Sequence, residues 1–424
     1  MQRRHCCFFF FYALAIATPA LAGDLETAAP NEVGMSADRL ERITEITQGY
    51  VDEGKLAGAI TMVARHGKLV HYEAVGARGA DDSSAMTKDS LFRIYSMSKP
   101  IVAVAAMQLY EQGKFQLSDP IADFVPELAE LSVLNEEGAL EAANGAISMQ
   151  QLLTHTAGFS YGFSPVDPVD KLYRESELLA AQDLDEFATR LGGLPLKYHP
   201  GTQWHYSVAV DVTGLVVERL SGQPLDVYLR EHLFEPLGMN DTFFSVAEDD
   251  LGRFLPNHSW DRQNNKLVTL GPTSVSRFQN VTMFSGGGGL VSTAMDYMRF
   301  AEMLRNGGSL DGVRVLSPRT VDFMTLNHLP ASIDSGGSGE QPTLGSNSLN
   351  GFGFGLGFGL VTDVPASGVL GSVGEFNWGG AAGTIFWVDP VEDFVMVAMI
   401  QLMGSPWPLR SELKIAVNQA IVGE

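Results

Sequence analysis

The sequence predicts an α+β fold: an antiparallel sheet flanked by helices, with an all-helical lobe inserted into it. Two observations lead there. Strand-like runs and helix-like runs occur near both ends of the 424-residue chain, so the sheet must be assembled from both ends. Between Leu117 and Phe284 the texture changes to helical patterns separated by Pro/Gly loops such as His199-Pro200-Gly201. The expected division is residues 1–22 as a signal segment, 23–115 with 285–424 as an α/β lobe, and 116–284 as a mainly helical lobe.

Taken in order, Ser36 can cap a helix over 37–53, with Leu40, Ile43, Ile46 and Tyr50 on one face and Met35 placed to staple against Leu40. Strands follow over 58–64 and 68–75 around a turn at His66-Gly67. A third extended run, 90–95, leads into an apolar helix that stops at Gly113. Helices are expected over 148–155, 184–191, 208–220 and 225–234. After the glycine run 286–289, Thr293 begins a helix to Asn306, and Ser317-Pro318 opens another. Residues 329–350 are Ser/Gly-rich and read as a mobile loop. The run 352–361 alternates Phe or Leu with Gly, a single strand with one face nearly bare for close packing. Strands over 383–388 and 394–402 pair around Asp389-Pro390-Val391-Glu392-Asp393, and a helix over 409–422 closes the chain.

The first residues read as an export signal. Arg3 and Arg4 precede an apolar run from Cys6 to Ala17 that is too short to span a membrane, and Ala20-Leu21-Ala22 offers a cleavage site. The expected location is therefore periplasmic or secreted, with no membrane insertion after cleavage. Both cysteines, Cys6 and Cys7, would be removed, so stability must come from the core. The formal charge of −22 becomes −24 without Arg3 and Arg4, with 26 basic residues left against 50 acidic ones. Such a surface repels phosphate backbones and anionic lipids, so nucleic acid and membrane partners are not expected. No H-E-x-x-H, mature C-x-x-C or G-x-x-x-x-G-K-[ST] is present, and the reading needs neither metal nor cofactor.

Chemistry concentrates at Ser96-Met97-Ser98-Lys99. A serine hydroxyl needs a base within reach and donors for the oxyanion it creates. A lysine three residues later on a helix lies on the same face and can supply that base. The motif alone is weak, since Ser411-Glu412-Leu413-Lys414 repeats it within a terminal helix, where it reads as a solvated face. The first copy has context: a strand-like run before it and an apolar helix after it. Tyr206, in Trp204-His205-Tyr206-Ser207-Val208 after a Pro-Gly turn, is the second element, because a phenol beside an ammonium can share its proton. His205 reads as structural. Lys99 and Tyr206 would titrate as a coupled pair, so the sequence assigns the base to neither.

Ser96-Met97-Ser98-Lys99, Tyr206-Ser207-Val208 and Trp378-Gly379-Gly380 stand in the order of the S-x-x-K, Y-x-N and K-T-G elements of class C β-lactamases and penicillin-binding proteins, which the chain resembles. Leu152 to Gly158, Pro236-Leu237-Gly238-Met239 and the run from Phe352 also resemble that superfamily, so the likeness covers nearly all of the mature chain. It implies a β-lactamase/transpeptidase-like fold. Val208 replaces an asparagine that contacts substrate, and Trp378 replaces a lysine that helps hold a substrate carboxylate; with W-G-G, the pattern is similar to the family VIII carboxylesterases. That resemblance implies catalysis by Ser96, Lys99 and Tyr206. It places an oxyanion hole at the N–H groups of Ser96 and Ala381, the latter on the strand after Trp378, and substrate contacts at Trp378, Gly379, Gly380 and Val208.

The expected substrate is thus a small-molecule ester, with a β-lactam or a D-alanyl peptide as the alternative and a non-catalytic peptidoglycan-binding relative as a further one. The oligomeric state is left open. Gly158-Phe159-Ser160-Tyr161-Gly162 matches the esterase elbow G-x-S-x-G, which needs a strand before the serine and a helix after it. Here that context is inverted, so Ser160 is set aside, and Phe159 and Tyr161 are left as possible pocket lining.

Overall fold

The computed structural model describes residues 25–330, 333 and 350–423. The expected export segment and most of the Ser/Gly-rich run after Leu329, expected to be a mobile loop, lie outside the described residues. An eight-stranded sheet runs in the spatial order Phe352–Phe354, Gly359–Val361, Phe376–Gly379, Ile385–Asp389, Phe394–Met399, Gly58–Arg65, Lys68–Gly79, Asp82–Ala85. Every neighbouring pair is antiparallel. The two ends of the chain meet at its centre, where Ile60 opposes Met399 and Arg65 opposes Phe394. His66 (φ 53°) and Gly67 (φ 76°) make the expected turn between the first two strands.

The centre of the sheet is buried on both faces, which explains why Gly58–Arg65 reads as a continuous apolar run and has no exposed residue. Ile60, Met62, Phe386, Val388, Val395, Val397 and Met399 point to one core cluster. Ala59, Val63, Ile385, Trp387, Phe394 and Met396 point to the other, which is closed by helices Ala37–Asp52 and Leu409–Asn418. On the first face lie helices Ser98–Glu111 and Ala294–Arg305. Ser98–Glu111 buries residues all around its circumference, as its uniformly apolar sequence requires. Its core continues without a break into helices Leu184–Gly192 and Ala209–Ser221.

Several expectations are corrected. The extended run before Ser96 contributes only Phe92–Arg93, which pairs with Val291–Ser292 outside the main sheet. The Gly-alternating run is two strands rather than one, folded back at Gly357 (φ 94°). Its bare face is used for packing: a Cβ on Gly357 would sit 2.4 Å from the Ala103 Cβ, and one on Gly355 would sit 2.2 Å from the Met324 carbonyl oxygen. Segment 116–284 also contains hairpins, Ser132–Leu134 with Leu140–Ala142 and His258–Asp261 with Lys266–Thr269. An additional helix, Pro168–Glu175, starts from the Asp167 side-chain cap and a proline at its first position.

Candidate active site

Ser96 sits in the 3-10 turn Tyr95–Met97 that feeds helix Ser98–Glu111, one turn before Lys99. Tyr95 has a left-handed backbone (φ 43°), unusual for a bulky residue. Neighbours hold it there: its hydroxyl accepts from Asn257 Nδ2 at 2.9 Å and its ring meets Phe278 edge-on. Met97 is anchored by the Tyr297 hydroxyl, which donates to its carbonyl at 2.9 Å. The Ser98 hydroxyl accepts from Leu290 N–H at 3.1 Å, tying the helix head to the glycine run.

Tyr206 approaches from the loop before helix Ala209–Ser221. Its hydroxyl donates to Ser96 Oγ at 2.6 Å, and Lys99 Nζ lies 3.4 Å from the same oxygen. The fold therefore brings together in one contact three groups that the sequence spreads over more than a hundred residues. Ser96 and Tyr206 are part-exposed while Lys99 is buried. Burial pulls the Lys99 ammonium down to about 7, with the Asp211 carboxylate opposing. Burial pushes the Tyr206 phenol up, against the hydrogen bond to Ser96.

Sequence context alone does not mark the remaining partners of Lys99 as proton-handling groups. Its Nζ reaches the Tyr161 hydroxyl at 2.9 Å and the Gly287 carbonyl at 2.5 Å. Asp211 gathers the Ser285 hydroxyl, the Gly287 N–H at 3.0 Å and the Tyr161 hydroxyl at 3.4 Å. Burial pushes its carboxyl up, and these partners with Lys99 pull it back. A side chain on Gly287 would collide with Asp211 and Tyr161, with its Cβ 2.3 Å from Asp211 Oδ2 and 2.6 Å from the Tyr161 hydroxyl. A readable signal did exist: Asp211 is a lone charge within Val208-Ala209-Val210-Asp211-Val212.

Trp378 is on the strand Phe376–Gly379 with its ring 5.6 Å from that of Tyr206. Ala381 is not on that strand but in the turn between it and Ile385–Asp389, exposed, and among the described residues its N–H donates to no backbone carbonyl. Val208 is buried in the core at the head of helix Ala209–Ser221, with its N–H on the Ser160 carbonyl at 3.2 Å, so packing rather than substrate occupies its side chain. Gly379 and Gly380 are pressed by Arg410 and by the Ile94 carbonyl, so their lack of a side chain is already used by the protein itself.

The rival serines have other partners. Ser160 is buried in a loop and donates to Asp170, whose other oxygen takes Lys197 Nζ at 3.1 Å. Phe159 is fully buried and lines nothing accessible, whereas Tyr161 is part-exposed and stacks on the exposed Phe163 at 5.0 Å. Lys414, expected on a solvated face, is instead buried and paired with Glu375. His205 is buried, and burial holds its imidazole down to about 4, as suits a structural residue.

An antiparallel sheet closed by both chain ends, with a buried helix presenting serine and lysine to a tyrosine, defines the β-lactamase/transpeptidase-like fold. The family model described as Beta-lactamase matches residues 43–420, and the chain belongs to that family. An uncharacterised protein of Mycobacterium tuberculosis is 39% identical over 82% of this chain and 87% of its own length. Esterase EstB of Burkholderia gladioli is 29% identical over 84% of this chain and 88% of its own. Among solved structures, EstCE1, a hydrolase with promiscuous acyltransferase activity, superposes with a TM-score of 0.73 at 25% identity, covering 90% of this chain and 98% of that one. The protein is thus a β-lactamase-fold member of a serine hydrolase family that includes esterase and acyltransferase relatives.

Proposed function

We propose that the protein is a carboxylesterase that cleaves esters of small or short-chain acids through an acyl-enzyme on Ser96. The observation that carries this reading is the joint contact of Tyr206 and Lys99 with Ser96 Oγ. Lys99, which burial leaves substantially neutral near pH 7, takes the Ser96 proton as Oγ attacks the ester carbonyl. Tyr206, whose phenol stays protonated, passes a proton to the departing alkoxide and is recharged from Lys99. The tetrahedral oxyanion faces the N–H groups of Ser96 and Ala381. Water then enters, loses its proton by the same path, and releases the acid.

Three features favour esters over β-lactams. Trp378 and Val208 stand where class C enzymes hold a substrate carboxylate and amide, the chain is strongly acidic, and esterase EstB is among its relatives. β-Lactam or D-alanyl peptide cleavage is the second reading, since the acyl chemistry is shared. A non-catalytic peptidoglycan-binding role is disfavoured by the intact contact around Ser96. The Arg3, Arg4 and Ala20-Leu21-Ala22 pattern supports a mature protein in the periplasm or outside the cell, with a mature N-terminus expected at Gly23.

The test compares kcat/KM on p-nitrophenyl butyrate, a cephalosporin and a D-alanyl peptide. Dominance of the ester is expected, and dominance of either other substrate rejects the specificity. Ser96→Ala should abolish turnover. Tyr206→Phe should lower kcat by on the order of 10²- to 10⁴-fold, the usual worth of a proton-transfer group.

A further inference from the structure

The turn that carries Ala381 is gripped from both sides. Gly379, the residue after Trp378, faces away from the Tyr206 ring toward helix Leu409–Asn418, and a Cβ there would lie 2.9 Å from Arg410 Nη1 and 3.0 Å from Nη2. Arg410 Nη2 donates to the Gly380 carbonyl at 2.6 Å and to the Thr384 carbonyl at 3.1 Å. Those carbonyls bracket Ala381. The turn is closed by its own bonds, Gly380 N–H to Thr384 O at 2.8 Å and Gly383 N–H to Gly380 O at 3.0 Å. On the opposite side a Cβ on Gly380 would sit 2.4 Å from the Ile94 carbonyl oxygen, two residues before Ser96. The Thr384 hydroxyl donates to that same carbonyl at 3.4 Å.

Among the described residues no carboxylate pairs with Arg410. Burial holds its guanidinium down to about 10. A cation partly withdrawn from water onto backbone carbonyls carries a desolvation cost that two ordinary hydrogen bonds barely offset. Its return lies in geometry: an oxyanion hole works only if its donors are fixed before the charge appears.

We infer that Arg410 is a positioning residue for the oxyanion hole, clamping the turn 380–384 against the backbone before Ser96 so that the Ala381 N–H is held where the oxyanion develops. Gly379 is glycine to admit the guanidinium, and Gly380 to admit the Ile94 carbonyl. This rests on the reading of Ala381 as an oxyanion donor.

The test measures kcat and KM on p-nitrophenyl butyrate, and the affinity for phenylboronic acid as a tetrahedral mimic, in Arg410→Met, Arg410→Lys, Gly379→Ala and the Arg410→Met/Gly379→Ala pair. Arg410→Met should lower kcat by on the order of 10²-fold, as loss of one oxyanion donor does, with KM changed less than about threefold. Boronate affinity should weaken in parallel, Arg410→Lys should recover part of the loss, and Gly379→Ala should reproduce it. The double variant should be no worse than the worse single one, because both act on one clamp. A folded Arg410→Met or Gly379→Ala with kcat within about twofold of the parent overturns the inference, as does a loss confined to KM or to thermal stability. Should Arg410→Met fail to fold, the Gly379→Ala result decides. Ser96→Ala separates the two levels: full turnover without Ser96 rejects the esterase reading, whereas loss without Ser96 and normal Arg410 variants reject the clamp alone.

Discussion

Lys99 feels two opposed influences, and their balance sets when it can act. Burial favours the neutral amine and the Asp211 carboxylate favours the ammonium, leaving its pKa at about 7. A base works deprotonated, so kcat/KM on a neutral ester should rise with pH through about 7 and then level off. Asp211→Asn removes the influence that raises the pKa, so the rising limb should move to lower pH. Its plateau should fall by on the order of tenfold, because a charged acceptor for Ser285 and Gly287 is lost. A limb that stays in place or moves upward in the pH–rate profile would contradict the assignment of Lys99 as base. Ser96, Lys99 and Tyr206 could be picked out beforehand because each has a local context: a helix head, a three-residue spacing, a Pro-Gly turn. Tyr161 could be read only as possible pocket lining and Gly287 only as part of a glycine run, since their meeting with Lys99 depends on how two distant loops cross.

Helix Ser98–Glu111 holds these groups only as well as its neighbours hold it. Gly357 lets the strand pair Phe352–Phe354 and Gly359–Val361 approach it at Ala103, one turn beyond Lys99. Gly357→Ala adds a colliding methyl group at a left-handed position and should cost roughly 2–4 kcal/mol in urea unfolding. A change below about 0.5 kcal/mol would mean that the contact can yield, as ordinary surface positions do. On the other face Lys414 is paired with Glu375 where both are fully buried. Lys414→Met strands a buried carboxyl and should cost roughly 3–5 kcal/mol, while adding Glu375→Gln should recover much of it. Equal stability of the single and double variants would show that the pairing does not matter. Long helices were legible because their apolar period is sustained. The Phe92–Arg93 and Val291–Ser292 pairing was not, because two-residue strands carry no period. The turn at Gly357 was hidden because its glycine continues the alternation of the flanking strands.

At the scale of the whole molecule, the sheet joins strands from the two ends of the chain, which is why its class could be read from where the strand-like runs fall. The hairpin His258–Asp261 with Lys266–Thr269 is not legible within a mostly helical stretch, because its strands are four residues each and, apart from buried His258 and exposed Lys266, half-exposed. The formal charge of −22 acts at long range and should repel anionic substrates. Raising ionic strength from about 0.01 to 0.15 M shortens the screening length from about 30 to 8 Å. KM for an anionic hemisuccinate ester should then fall roughly two- to fivefold, with that of the neutral butyrate unchanged. Equal responses would rule out a field effect. The contact of Tyr206 and Lys99 with Ser96 is meaningful only if Ser96 is the atom acylated. Peptide mass spectrometry after brief exposure to p-nitrophenyl butyrate reads this directly: a butyryl group is expected on the peptide containing Ser96, and none in Ser96→Ala. Butyrylation elsewhere, at Ser160 for example, with turnover surviving in Ser96→Ala, would contradict it.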